Sequence, residues 1–497
     1  MVSLILVLAA IPILQWFSGQ IYFFGVAWVN CLYLTGLALA VFLGADWEKR
    51  APGQGADFLC DALIIAGIVS TGMLWYQWLG LGTLDLVINR STGRPGANLG
   101  QPNQQASLLL LGLVAIAWSL LRSRVRAWVA VLFSIFVLTG VALTLSRAAW
   151  VNLCILLVSL FVLGILRKSR LTVWTALVLG AFFIACCAVQ PWLASQLFVD
   201  GESALEGRFL AGQRPAAWAM FVQAVGRHPL WGYGWGQVGF AHLELADTQP
   251  AFGSVFENAH NILLDLLLWN GVPIGISLIL FCAYWCILAA KRIRDAENFS
   301  LALGIVVLGL HAMLEYPLHY AYFLLPFGLL VGILGERLGM KGGGGLRPEL
   351  AFLPWLVACL ALVVTVRDYA KVEISFSDLR FEKARIHTDT PGGPPDTWVL
   401  THLRELIVLG RLEPLQKMDE EELEWMRVLT KLYPSPLNAF NLSKALAFNQ
   451  RNDEAQRWLK KMCRAFPQNV CDSARVNWHL ESRRTMEIAA TPWPDGY

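Results

Sequence analysis

The sequence predicts an all-α polytopic membrane protein of about eleven transmembrane helices, followed by a polar, helical C-terminal domain. Two observations carry this. The 497-residue chain is 56% hydrophobic and only 15% charged, against about 25% charged in an ordinary soluble protein. The apolar residues also fall in long runs, nearly all within residues 1–367. Each run approaches the roughly 20 residues that cross about 30 Å of hydrocarbon as a helix. Helices are the expected spanning form, because backbone groups in lipid must be satisfied within their own segment. The 21 tryptophans suit interfacial anchoring.

The runs place spans at 2–17, 24–44, 57–79, 105–121, 127–145, 149–166, 171–190, 261–290, 299–315, 320–336 and 351–367. The first has no basic n-region and no small-residue cleavage site, so it reads as a retained span and not a signal peptide. The eighth is long enough to include an interfacial helix before the span proper. Basic residues then set the orientation. Lys49-Arg50, Arg122/Arg124/Arg126, Arg167-Lys168-Ser169-Arg170, Lys291-Arg292-Ile293-Arg294 and Arg337/Lys341/Arg347 fall in alternate loops. The positive-inside rule puts all of them in the cytoplasm. The N-terminus is then cytoplasmic and the C-terminus external, which in a bacterial inner membrane means periplasmic.

Residues 1–367, with a long external loop at 191–260, therefore form one expected domain, and residues 368–497 a second. Within the tail, Leu437–Leu446 followed by Asp453–Phe466 has the pattern of a tetratricopeptide-like (TPR-like) helix–turn–helix. Cys463 and Cys471 lie there and could pair in an oxidising compartment. The other eight of the ten cysteines lie in or beside apolar runs and read as packing residues.

The net charge of +3 gives no reason to expect a nucleic-acid partner. No Walker loop or dinucleotide fingerprint is present, and no carboxylate cluster resembles a metal site. What remains is a set of polar constellations that the orientation places on one face. Gln101 and Asn103 lie in a Gly/Pro-punctuated turn at 96–104, which equally suits a helix cap. Arg147 sits between two apolar runs, where an arginine costs about 2.5–3.5 kcal/mol at membrane depth unless it snorkels to the interface. Arg208 and Arg214 precede a Gly/aromatic run at 229–236, suited to close packing or to stacking on sugar. His260-Asn261 stands at the outer end of a span; histidine is the side chain best matched to proton transfer near neutral pH. Glu315 and Tyr320 occupy an outer corner, where a glutamate could orient a cation or cap a helix. Together these suit a substrate with a diphosphate head, a lipid tail and sugars.

In this order, Ala97–Asn103, Ser146-Arg147, Arg214…Trp218, Pro229–Gly236, His260-Asn261 and Glu315–Leu318 resemble the bacterial protein O-oligosaccharyltransferases (the PglL, pilin-glycosylation type). These sit within the O-antigen ligase and Wzy polymerase superfamily. The likeness runs over roughly residues 10–370, and the tail is similar to that family's soluble C-terminal region. One departure is that Gly275 lies one place later than the usual spacing from His-Asn, with Pro273 between. The resemblance implies a GT-C-like membrane glycosyltransferase that needs no metal or nucleotide cofactor. It implies en bloc transfer of an oligosaccharide from undecaprenyl diphosphate to Ser or Thr hydroxyls of periplasmic proteins such as pilin. His260 would activate the acceptor hydroxyl. Arg147 and Arg214, with Arg208, would hold the diphosphate. Gln101, Asn103, Tyr320, Asn261 and Glu315 would shape the glycan or acceptor pocket. The nearest alternatives are an O-antigen ligase with a lipid A–core acceptor and a Wzy-type polymerase. A flippase or transporter would need polar residues along a path through both sides of the membrane, and a purely structural scaffold leaves the arginines unexplained.

Overall fold

A computed structural model describes residues 1–82, 84–88, 94–197, 212–249, 251–340, 348–386 and 392–494. Every expected apolar span coincides with a helix, and no strand occurs among the described residues. In order they are α1 (Val2–Phe17), α2 (Phe24–Arg50), α3 (Gln54–Trp78), α4 (Pro102–Leu121), α5 (Ala127–Leu143), α6 (Arg147–Leu166), α7 (Arg170–Gln196), α8 (Gln213–Arg227), α9 (Val238–Leu245), α10 (Ile262–Arg292), α11 (Ala296–Ala312), α12 (Ala321–Arg337) and α13 (Pro348–Ala384). The tail adds α14 (Thr401–Arg411), α15 (Glu420–Leu432), α16 (Pro436–Phe448), α17 (Asn452–Ala465), α18 (Gln468–Ser482) and α19 (Met486–Ala489). Six of these, α2, α3, α4, α6, α7 and α10, are long and apolar enough to cross a membrane; α1, α5 and α11 are shorter and apolar. The chain is a polytopic membrane protein with a helical tail.

Packing divides the chain into two compact units, each discontinuous in sequence. The first comprises residues 1–2, 37–212 and 283–344. At its centre is α4, whose most apolar window is 72% buried against 11% for the peripheral α7. Helix α4 packs on α3, α5 and α11. Gly67 of α3 and Gly112 of α4 face each other so closely that a Cβ on either would lie 3.7 Å from the other's Cα; small residues allow helices this approach. The basic loops gather carboxylates: Arg337 pairs with Glu48 at 3.0 Å and Glu297 at 2.6 Å, and Arg124 with Asp61 at 2.7 Å.

The second unit holds residues 3–36, 213–282 and 345–497, so α8, α9 and the start of α10 share one apolar core with tail helices α15–α18. Helix α10 is interrupted at Gly271, whose φ is 73° and ψ 178°, beside Pro273. Helix α13 is continuous across residue 367, the boundary expected from hydropathy. Just past that point the buried Asp368 accepts the N–H groups of Trp398, Val399 and Leu400 at 2.7, 2.7 and 3.1 Å, which fixes the chain entering α14. Helices α16 and α17 pack together as a helix–turn–helix, with Ser435 capping α16 through the Asn438 N–H at 3.1 Å. A Cys463–Cys471 disulfide ties α17 to α18.

Candidate active site

The expected site residues fall into two groups, one in each unit. The first unit holds Gln101, Asn103, Arg147, Glu315 and Tyr320; the second holds Arg214, His260 and Asn261. Arg208 lies outside the described residues.

In the first unit the 96–104 turn is a short 3₁₀ segment, Ala97–Leu99, leading into α4. Gln77 fixes it by accepting the N–H groups of Gly96 and Ala97 at 3.0 and 2.8 Å. Gln101 is the cap of α4, its amide oxygen accepting the Gln104 N–H at 2.8 Å. Asn103 points elsewhere. Its amide nitrogen donates to the buried Glu315 at 3.0 Å, and its oxygen accepts from Arg94 at 3.2 Å. The same guanidinium donates twice to the Thr144 carbonyl, at 2.9 and 2.6 Å. Arg94 therefore joins the Gln-Pro-Asn turn to the corner before Arg147. That corner is tight: Leu145 has φ of 49°, and Ser146 caps α6 through the Ala149 N–H at 3.3 Å. Arg147 is the exposed first residue of α6. A cation there opposes the positive end of the helix dipole, but the two together favour an anion. Tyr320 stacks between Tyr316 and Tyr322, centroids 6.1 and 5.2 Å away, while Tyr322 donates to Gln104. Glu315 and Gln101 are thus engaged in the framework of the corner.

In the second unit His260 is half-buried with φ of 51°, the left-handed region that few non-glycine residues adopt. The neighbouring Ala259 explains how it is held. Its N–H donates to the buried Asp265 carboxylate at 2.9 Å, and its carbonyl accepts the Trp218 indole N–H at 2.9 Å. Asn261 caps α10, its side-chain oxygen accepting the Leu263 N–H at 3.0 Å. On the other side, the Phe256 ring meets His260 edge-on at 5.8 Å and stacks on His242 at 5.6 Å. His242 Nδ1 also accepts the Phe256 N–H at 3.0 Å. Burial pushes His242 down to about 4, so its ring stays neutral. The half-buried Arg214 lies one turn before Trp218 on α8.

The Gly/aromatic run serves the interruption of α10. A kink leaves backbone groups without helical partners. Here the Leu268 carbonyl accepts from Tyr233 N at 2.6 Å, and Val272 N donates to the Pro229 carbonyl at 2.7 Å. Backbone approaches backbone so closely that a Cβ on Gly271 would stand 2.4 Å from the Leu230 oxygen. Trp235 stacks on Trp269 at 4.5 Å and donates to Asn270 at 2.8 Å. Gln15 of α1 bridges the Trp269 carbonyl and the Trp235 N–H at 2.8 and 3.0 Å. Of the two readings of this run, close packing is what the structure displays for Tyr233 and Trp235, whereas Leu230 and Trp231 are exposed.

Three protein families match stretches of the chain. Residues 95–119 match the protein glycosylation ligase family, residues 132–280 the O-antigen ligase family, and residues 300–481 the C-terminal region of virulence factor membrane-bound polymerases. The chain is 25% identical over 457 residues to a general O-oligosaccharyltransferase of Acinetobacter baylyi, covering 90% of this chain and 80% of the relative. Over these stretches the chain is similar to the O-antigen and protein glycosylation ligases. A ComP-specific O-oligosaccharyltransferase of the same organism is 29% identical over 327 residues, 65% of this chain and 59% of that relative. The protein glycosylation ligase match spans the Gln-Pro-Asn turn, and the O-antigen ligase match spans Arg147, Arg214 and the His260 peptide. Neither Arg94 nor His242 was among the expected site residues, and Asp265, four positions after Asn261, was not given its role of holding Ala259.

Proposed function

We propose that this protein is a glycosyltransferase that moves an oligosaccharide en bloc from undecaprenyl diphosphate to Ser or Thr hydroxyls of periplasmic proteins such as pilin. The observation that carries the reading is the likeness to a general O-oligosaccharyltransferase across 90% of this chain. In the reaction, the acceptor oxygen attacks the anomeric carbon, and the carbon–oxygen bond to the diphosphate breaks. The hydroxyl proton passes to His260, and undecaprenyl diphosphate departs with the electron pair. Attack from the opposite face inverts the anomeric centre. General-base help of this kind is typically worth 10²–10⁴-fold. Arg147 and Arg214, with Arg208, bind the diphosphate and stabilise its charge as it leaves. Asn103, Tyr320, Gln101, Asn261 and Glu315 shape the pocket, Gln101 and Asn261 through the helix starts they cap.

Eleven helices cross the bacterial inner membrane in this reading, with the N-terminus in the cytoplasm and the TPR-like tail in the periplasm. The alternation of basic loops supports that orientation. So does the Cys463–Cys471 disulfide, since disulfides persist in oxidising compartments. The match of residues 132–280 to O-antigen ligases favours a second reading, with a lipid A–core acceptor. Deleting the gene and analysing periplasmic glycoproteins beside lipopolysaccharide separates them. Loss of protein glycans with intact lipopolysaccharide ladders fits the proposal, whereas the reverse pattern selects the ligase of lipid.

A further inference from the structure

The first unit contains a cavity of about 280 Å³ that no site residue lines. It lies where the C-terminal ends of α3, α5 and α7 meet, between Trp75 and Trp78 on one side and Ala185 and Val189 on another. Its walls are closed to hydrogen bonding almost throughout. The Trp75 indole donates to Thr139 at 2.9 Å, and the Thr139 hydroxyl donates onward to the Phe136 carbonyl at 2.6 Å. Only Gln190 brings an amide to the wall, and its oxygen is buried without a hydrogen-bond partner. Ala185 and Val189 are exposed on α7, so the cavity opens sideways onto a face that lipid would cover.

Its position gives it a ligand. Leu143 lines the cavity, and the chain then runs through the Thr144–Ser146 corner to Arg147. Four residues span at most about 14 Å. An amphiphile whose anionic head rests on Arg147 would have this space within reach of its first apolar carbons. The volume is informative too. A cavity of about 150 Å³ lined by Leu, Ile and Phe side chains takes up one six-carbon benzene ring. At 280 Å³, the space accepts roughly two five-carbon isoprene units on the same scale.

We infer that the cavity between α3, α5 and α7 is a subsite for the head-proximal isoprene units of the polyprenyl diphosphate donor. This rests on the proposed function, which supplies the donor, while the pocket itself is defined by its own walls. Seating the first isoprenes there aims the diphosphate at Arg147 and lets the rest of the tail lie in the bilayer.

The full-length protein in phosphatidylethanolamine–phosphatidylglycerol nanodiscs, with undecaprenyl diphosphate as the probe, tests this by native mass spectrometry. Ala185→Trp fills the cavity and should weaken retention of the lipid at least tenfold. Ala185→Leu should act in the same direction, and it keeps the test readable if the larger variant does not fold. Gln190→Leu should leave retention unchanged, because an isoprenoid offers no hydrogen bond. The inference is overturned if both Ala185 variants bind as the natural protein does. It is equally overturned if excess phosphatidylglycerol displaces the probe, which would mark a slot for bulk lipid, or if Gln190→Leu abolishes binding. Natural protein that binds the lipid in this manner yet transfers no glycan to protein would end the functional reading and leave the subsite standing.

Discussion

The Trp218 indole donates its N–H to the Ala259 carbonyl at 2.9 Å, and this bond ties the helix bearing Arg214 to the peptide that presents His260. With Asp265 holding the N–H of the same residue, Ala259 is gripped at both its polar atoms. A left-handed residue persists only where its surroundings over-determine it. Trp218→Phe keeps the ring and removes the donor. A neutral hydrogen bond is worth about 1 kcal/mol net, so the melting temperature should fall only slightly. Glycan transfer should fall roughly tenfold, the equivalent of about 1.4 kcal/mol in the barrier. Equal turnover in the variant would show that the clamp does not serve His260.

The break in α10 predicts an unequal response of two glycines. At Gly271 the backbone lies in a region open essentially to glycine alone, which costs another residue about 1–3 kcal/mol, and the added Cβ would also stand 2.4 Å from the Leu230 oxygen. At Gly253 φ is 69°, but nothing lies within 4 Å of a Cβ. Gly271→Ala should therefore prevent accumulation of folded protein, whereas Gly253→Ala should cost only strain. Fluorescence-detected size exclusion of the two variants checks this.

His242 supplies a pH dependence. Folding favours its neutral ring, with the group near 4 instead of its ordinary 6.5. The unfolded chain takes up a proton as pH falls below about 6.5, and the folded chain resists doing so until about 4. The ring's contribution is thus complete above pH 6.5 and is lost progressively towards pH 4. His402 in the tail behaves likewise, since burial also lowers it to about 4. Melting temperature should drop steeply between pH 6.5 and 4. His242→Gln retains an acceptor for the Phe256 N–H without titrating, so it should flatten part of that slope. An unchanged slope would contradict the assignment.

The tail disulfide makes a further prediction. Closing a loop between Cys463 and Cys471, eight residues apart, restricts the unfolded tail by roughly 2–3 kcal/mol in the chain-entropy picture. Cys463→Ser should lower the tail's resistance to added protease, and reductant should do the same to the natural protein but not to the variant. In intact cells, a thiol probe that cannot cross the inner membrane should label Cys471 of Cys463→Ser after mild denaturation, as expected of a periplasmic tail.

Much of this architecture was legible in the sequence, for a physical reason. Apolar length and the placement of arginines and lysines are local properties, so the helices and the alternation of loops could be read directly. What the break near Gly271 and Pro273 requires was not legible. The groups it exposes are satisfied by Pro229 and Tyr233, and Gln15 reaches Trp269 across 254 positions; no periodicity encodes such pairings. Gln101 and Asn103 were expected to behave alike, yet the first caps a helix and the second joins Glu315 to Arg94. Arg94 carried no signal, because a single arginine beside a proline looks like any loop cation. His260 could be named from its motif, but its left-handed backbone emerges only once Trp218 and Asp265 close on Ala259.

The role proposed for His260 is to take the acceptor's proton. Its most direct test is single-turnover transfer from undecaprenyl diphosphate-linked oligosaccharide to purified pilin, comparing the natural protein with His260→Ala. His260→Ala should lower the rate by about 10²–10⁴-fold, with donor binding and melting temperature nearly unchanged. Transfer by His260→Ala at the natural rate would contradict it.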